Sequence, residues 1–349
     1  MDIESPWQRP NFVGHEAAES ALAAAANSGR LAHAWLIGGP SGVGKATLAY
    51  RFARSLLAGP RSEPGLALPS DHPVFRRVAA GGHADLLSVR RMPDPKSGRV
   101  PKDLPVDAIR KIGPFLGLTA AEGGWRIVIV EDAHTLNRSG ANALLKTLEE
   151  PPDHAVILLI ADNPGAMLPT IRSRCRLLML EPLPEQTVAA FLSDELPADK
   201  AGEAPLLAKL ADGSIGRAMA LANAEALDSY RALLALMAEL PNLNWQAVYR
   251  FGDGLAPAAN EPAYRLTADL MMWWLGRFVR AQARGALPEP VLEEEATLTQ
   301  RLASLAGLDR WLAVWEKTGR LFARTEAANL DRKQTLVQTF LTLEAAVRA

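Results

Sequence analysis

Apolar residues along this chain fall into two kinds of run. Between positions 34 and 180 they form short unbroken blocks: Ala34–Ile37, Ile127–Val130, Ala155–Ala161 and Leu177–Leu180. Ile127–Val130, four β-branched residues in a row, and Ala155–Ala161 predict strands buried on both faces, as in a parallel sheet, while Ala34–Ile37 predicts a buried strand and Leu177–Leu180 a short one. Between them the apolar positions take a helical spacing. Leu48, Ala49, Phe52 and Ala53 follow the first block, and Ala141, Leu144, Leu145 and Leu148 precede the third. Asn137 is placed to cap this second helix and Pro151-Pro152 to end it. His83–Val89 predicts one more short strand, and Val106–Leu116 a helix with Val106, Ile109 and Ile112 on its apolar face and Pro114 near its end. This alternation predicts one α/β domain over residues 34–180.

Beyond Pro182 and Pro184, which mark a linker, the spacing is helical throughout. Residues 264–284 carry Leu270, Met271, Trp273, Trp274, Leu275 and Phe278, and the last helix carries Leu336, Phe340 and Leu343 on one face. These aromatic and sulfur side chains are read as core or subunit interface rather than a cofactor box. Residues 59–105 differ: Pro60, Pro64, Pro69, Pro73, Pro93, Pro95, Pro101 and Pro105 break up any long element. There is no internal repeat.

Bulk properties narrow the function classes. A chain of 349 residues is expected to divide into two or three domains, and 48% apolar content argues against overall disorder. The formal net charge of −1 supplies no global field for nucleic acid or membrane, so any DNA contact must come from a local patch or a partner. One cysteine, Cys175, excludes a disulfide framework and a multi-cysteine zinc site. The charged segment Met1–Arg9 lacks the apolar stretch of a secretion signal, and no run of about 18 apolar residues predicts a membrane span. A cytoplasmic protein is expected.

The candidate chemistry begins where the first strand ends. Gly39-Pro40-Ser41-Gly42-Val43-Gly44-Lys45 has the spacing of a phosphate-binding loop between a strand and a helix. Such glycines let backbone N–H groups converge on a polyphosphate at a helix N-terminus, and Lys45 adds a point charge. The next residue is normally Ser or Thr, whose hydroxyl holds Mg²⁺; here it is Ala46. Thr47 is turned away from that position by roughly 100°. The loop is expected to suit a nucleotide and to handle the metal poorly, and occupancy by nucleotide is left open. Upstream, Phe12 and Val13 are placed to lie against a base.

Glu131 and Asp132 end the second block, at the strand end where open α/β sheets bind ligands. The usual order is Asp then Glu, with the first acid steadying Mg²⁺ and the second polarising water. The reversed pair is expected to misplace both roles. Asp162-Asn163 ends the third block, and Asn163 either senses a terminal phosphate or starts a turn. Arg217 lies in the first turn of a helix, against the dipole, which points it toward an anion or else leaves it a surface arginine. His72, His83 and Asp85 lack metal-ligand spacing and are read as a surface pair of histidines and an acid.

These pieces together resemble the bacterial clamp-loader branch of the AAA+ ATPases over almost the whole chain. The resemblance is carried by Asn142-Ala143-Leu144-Leu145-Lys146-Thr147-Leu148-Glu149-Glu150-Pro151-Pro152, by Leu168–Arg176 with its Ser173-Arg174-Cys175 core, and by Asn329-Leu330-Asp331-Arg332-Lys333. It implies an α/β plus all-α chain in three domains. An AAA+ phosphate-loop domain with a parallel sheet would cover residues 1–182, a small helical lid 183–225, and a helical collar that oligomerises 226–349. It implies ATP or ADP as ligand, and a ring with delta and tau/gamma subunits that loads a sliding clamp on primed DNA. By the same resemblance, Arg174 is a finger for a neighbour's ATP, Asn163 and Arg217 are phosphate sensors, and Lys146 approaches DNA phosphates.

Departures from the motor subunits of that family sharpen the expectation. Those carry the hydroxyl after the lysine, the Asp-Glu order and a four-cysteine zinc module; this chain has Ala46, Glu131-Asp132 and no cysteine between 57 and 107. A non-motor subunit is expected, without polymerase chemistry or zinc, its own ATPase weak or absent. The alternatives are an autonomous motor-type ATPase and a phosphate-loop kinase for a small molecule.

Overall fold

Doubly buried strands need helices on both sides, and the computed structural model of the chain, which describes residues 4–60, 65–93 and 100–348, supplies them. In chain order the first elements are α1 (Glu16–Asn27), β1 (Ala34–Gly38), α2 (Lys45–Leu57), α3 (Pro73–Ala79), β2 (Leu86–Val89), α4 (Val106–Arg110), α5 (Ile112–Leu116) and β3 (Arg126–Val130). There follow α6 (Arg138–Glu149), β4 (Ala155–Ala161), α7 (Pro169–Arg172), β5 (Arg176–Met179) and α8 (Glu185–Glu195). The strands form one parallel sheet in the order β2-β3-β4-β1-β5. In β1, β3 and β4 successive side chains alternate between two cores. At the sheet edge β5 is not buried on both faces, since Arg176, Leu177 and Met179 are exposed. Trp35, Ile37, Ile127 and Ile129 pack with α1, α2 and α3, while Leu36, Val128 and Val130 pack with residues of α4 to α7. The expected α/β architecture is the one observed.

Local chemistry explains the element ends. The Asn137 side chain accepts from the Gly140 backbone N–H at 2.9 Å and caps α6, as its position predicts. The helix expected over 106–116 is split into α4 and α5. Pro114 has no N–H to return to the carbonyl four residues back, at Arg110, which is where α4 ends. The strand expected from His83 starts only at Leu86. The surface reading of His83 is overturned, since it is 5% exposed and its Nδ1 accepts from the Asp85 N–H. Asp85 is also buried: its carboxylate accepts from the N–H groups of Ala121 and Glu122 and pairs with Arg126 at 3.4 Å. His72 caps α3 by accepting from the Val74 N–H. Of the proline-rich stretch, residues 61–64 and 94–99, with Pro64 and Pro95, lie outside the described residues, as do residues 1–3.

The rest is helical: α9 (Ala204–Leu210), α10 (Ile215–Asn223), α11 (Ala226–Ala238), α12 (Trp245–Leu255), α13 (Glu261–Ala283), α14 (Glu293–Leu305), α15 (Leu308–Ala328) and α16 (Arg332–Arg348). The chain divides into two compact units, Met1–Ala201 with Ala211–Met219, and Gly202–Leu210 with Ala220–Ala349. In the second unit Trp274 stacks on Phe278 at 5.0 Å, and Phe278 meets the edge of Trp311 at 5.2 Å. All three are buried, which makes these aromatics core. Glu295 is fully buried there, its carboxylate accepting from the Val291 N–H at 2.7 Å and facing Arg277 at 3.3 Å. No helix among the described residues is long and apolar enough to cross a membrane.

Candidate functional site

The sheet order decides which loops meet. Because β4 lies between β1 and β3, the C-terminal ends of these strands bring together three segments far apart in sequence: the loop after Gly38, Asp162, and the Glu131-Asp132 pair. They surround a cavity of about 290 Å³ in the first unit. The loop conformation requires its glycines at two close approaches. A Cβ on Gly39, at φ +139°, would stand 2.2 Å from the Leu180 carbonyl oxygen. One on Gly42, at φ +74°, would stand 2.4 Å from Ser214 Oγ. The loop's outer side is fixed by hydrogen bonds from Ser214 Oγ to the Ser41 carbonyl and from the Gly216 N–H to the Gly42 carbonyl, both 2.9 Å. His15 Nε2 lies 3.0 Å from the Val43 carbonyl.

Lys45 opens α2 and is 4% exposed. Its Nζ donates to the carbonyls of Gly39, at 2.8 Å, and Pro40, and lies 2.7 Å from Asp162 Oδ1. The two strand-end acids are engaged as well. Tyr50 Oη donates to Glu131 Oε1 at 2.9 Å and lies 3.0 Å from Ser88 Oγ. Burial raises the Glu131 carboxyl above the usual carboxylate range, and burial with the Glu131 charge raises the Tyr50 phenol. Asp132, in the left-handed region at φ +53°, is held by Arg91, with Nη2 and Nε at 2.9 and 3.0 Å from Oδ2. Arg91 also reaches the Pro101 and Lys102 carbonyls.

Of the residues named from sequence, Phe12, Val13, Gly42, Gly44, Lys45, Ala46, Thr47, Glu131 and Asp132 line the cavity. Gly39 shapes the loop without lining it. Asn163 does not line it either; Asp162 does, and Asn163 precedes a single 3₁₀ turn at Pro164–Ala166. Arg217 gives its backbone N–H to Ser214 Oγ, and its neighbours Ile215 and Gly216 line the cavity in its place. Asp162, Tyr50 and Arg91 are the partners that sequence reading missed. Asp162 had a signal, an acid at the end of a buried block. Arg91 had none, because its role depends on the course of a proline-rich loop.

Arg174 lies after the short helix α7, away from this cavity. Its Nη1 donates to the Thr170 carbonyl at 2.9 Å and its Nη2 pairs with Glu149 Oε1 at 2.8 Å. The two side chains are 36% and 49% exposed. Ser173 Oγ donates to the same Thr170 carbonyl, and burial pushes the Cys175 thiol up to about 11.

Phe12, Val13 and Phe191 contribute apolar side chains to the lining of the cavity, beside the glycine loop and Lys45. The cavity does not suit a divalent cation. Ala46 offers a methyl where a hydroxyl ligand belongs, Glu131 is engaged by Tyr50, and Asp132 is neutralised by Arg91.

A five-stranded parallel sheet with a glycine loop after β1 and acids after β3 defines a phosphate-loop α/β protein with a helical C-terminal part. The family described as "DNA polymerase III, delta subunit" matches residues 14–184. The chain is 35% identical to the DNA polymerase III subunit delta' of Escherichia coli over 70% of this chain and 68% of that protein. It is 36% identical to the subunit delta' of Pseudomonas aeruginosa over 52% of this chain and 53% of that one. The tau subunit of Escherichia coli is 30% identical over 91% of this chain, which spans 48% of tau. The chain belongs to the delta' family of DNA polymerase III clamp-loader subunits.

Proposed function

We propose that this chain is a non-motor subunit of the clamp loader, which lends Arg174 to the ATP of a neighbouring subunit and whose own ATPase is weak or absent. One observation carries the reading: Lys45, Asp162, Glu131 and Asp132 at its own loop are each engaged within the chain, while Arg174 sits on a surface turn, bonded to the Thr170 carbonyl and to the half-exposed Glu149. A guanidinium fixed on a rigid turn stabilises charge on a transferring phosphoryl group, an effect typically worth about 10³–10⁵ in rate. The three-domain division belongs to this reading, with residues 1–182 as the nucleotide-binding-like domain, 183–225 as lid and 226–349 as collar. So do ATP or ADP as the ligand of the cavity, without Mg²⁺ or zinc. Delta and tau/gamma are the partners, sliding clamp and primed DNA are reached through the complex, and the setting is cytoplasmic.

The test is co-purification of the full chain with delta and tau/gamma, followed by clamp loading on primed DNA with and without it. The proposal expects one complex containing this chain and a loss of loading on its omission. A chain that stays out of the complex, or whose omission changes nothing, overturns it.

A further inference from the structure

Lys45 has a complete set of partners before any ligand arrives. An ammonium group offers three protons. Here they face the Gly39 carbonyl, the Pro40 carbonyl and the Asp162 carboxylate. A phosphate oxygen entering the loop therefore meets a lysine whose donors are all taken. The two carbonyls belong to the loop itself and cannot leave without unmaking it. Asp162 can leave. It sits at the free end of β4, and its side chain is 38% exposed, so a displaced carboxylate turns into water.

We infer that Asp162 is a built-in stand-in for phosphate, which neutralises Lys45 and sets the affinity of this site by competing with an incoming nucleotide for the same ammonium group. The inference rests on the reading of the cavity as a nucleotide site, and not on the role of Arg174. The position of Asp162 is itself fixed, since its backbone N–H lies 3.3 Å from His134 Nδ1 and Ala161, just before it, pairs in register with Gly38. The surrounding charges extend the argument to ligand choice. Beside Asp162 the cavity presents Glu4, Glu131 and Asp132 against Arg9 and Lys45, and Ala46 leaves no hydroxyl to bring in a metal. With Asp132 paired to Arg91, each added phosphate still brings charge toward Asp162, Glu131 and the exposed Glu4, so the site takes the less charged nucleoside diphosphate in preference to the triphosphate.

The test is fluorescence titration of the full chain with an N-methylanthraniloyl ADP and the corresponding ATP, with EDTA and then with Mg²⁺. Removing the competing charge in Asp162→Asn is expected to tighten ADP binding by about tenfold or more. The gain should disappear when Lys45→Gln is added. The parent chain should prefer ADP to ATP, and Mg²⁺ should change neither affinity. Asp162→Ala serves as the second variant. A variant that is unstable alone but whose melting temperature rises with ADP, more than the parent's does, also supports the competition. Equal affinity of the parent and both folded variants overturns the inference while leaving the nucleotide reading intact. A gain that survives Lys45→Gln overturns it too. Absence of binding in every variant overturns both the inference and the nucleotide reading.

Discussion

Two cations in the first unit stand in opposite circumstances. Lys45 is nearly sealed from solvent and bonded on every proton, whereas Arg174 lies on a surface turn with one carboxylate partner that is itself half exposed. A buried lysine is costly to leave without an anion, because its charge has no water to turn to, although its partner Asp162 is itself 38% exposed. An exposed pair is worth only about 0–1 kcal/mol and can be exchanged for another anion at little cost. The difference is one of access: the inner cation needs an anion in place at all times, whereas the outer one can exchange its carboxylate partner at little cost.

The largest effect expected from this contrast is in ATP turnover by the purified chain. With no hydroxyl at position 46, and with Glu131 and Asp132 held by Tyr50 and Arg91, hydrolysis by the chain alone should fall at least about 10³-fold below that of a motor subunit. Turnover at a motor's rate in a steady-state assay would erase the contrast. Next in size is the cost of emptying the inner site. Lys45→Ala strips partners from the Gly39 and Pro40 carbonyls and from Asp162, and should destabilise the first unit by about 1–3 kcal/mol in urea unfolding.

A smaller effect depends on pH. Burial raises the carboxyl of Glu131 in the folded chain. Between its unfolded and folded pKa the native state then binds the extra proton, so the stability this group confers is full below the unfolded value and is lost as pH rises from there through the folded one. Glu131→Gln keeps an acceptor for Tyr50 and cannot ionise. It should melt on the order of 1–2 °C above the parent at pH 7, with the gap closing below about pH 4. Smallest of all is Glu149→Gln, which removes the partner of Arg174 and should shift unfolding by less than about 0.5 kcal/mol. A loss of several kcal/mol would mean that Arg174 is locked in place.

Much of the fold was legible because strands buried on both faces have to be uninterrupted in sequence. Ile127–Val130 and Ala155–Ala161 announce themselves for that reason, and a glycine loop between Ile37 and Leu48 has few other uses. Asn137 was legible as a cap because capping is local. The engaged state of the site was not legible. Lys45 meets Asp162, Tyr50 meets Glu131 and Arg91 meets Asp132 across 117, 81 and 41 positions, through a strand order that no linear pattern encodes. His83 misled because a lone histidine carries no sign of burial; its place follows from the turn that Asp85 ties to Ala121 and Glu122.

The central claim is that a guanidinium of this chain acts on a triphosphate held by another subunit. Single-turnover ATP hydrolysis at the adjoining motor site of the reconstituted complex, carrying Arg174→Ala in place of the parent chain, tests it most directly. The account predicts normal assembly with hydrolysis at that site reduced by about 10³-fold; an assembled complex that cleaves ATP there at the parental rate would contradict it.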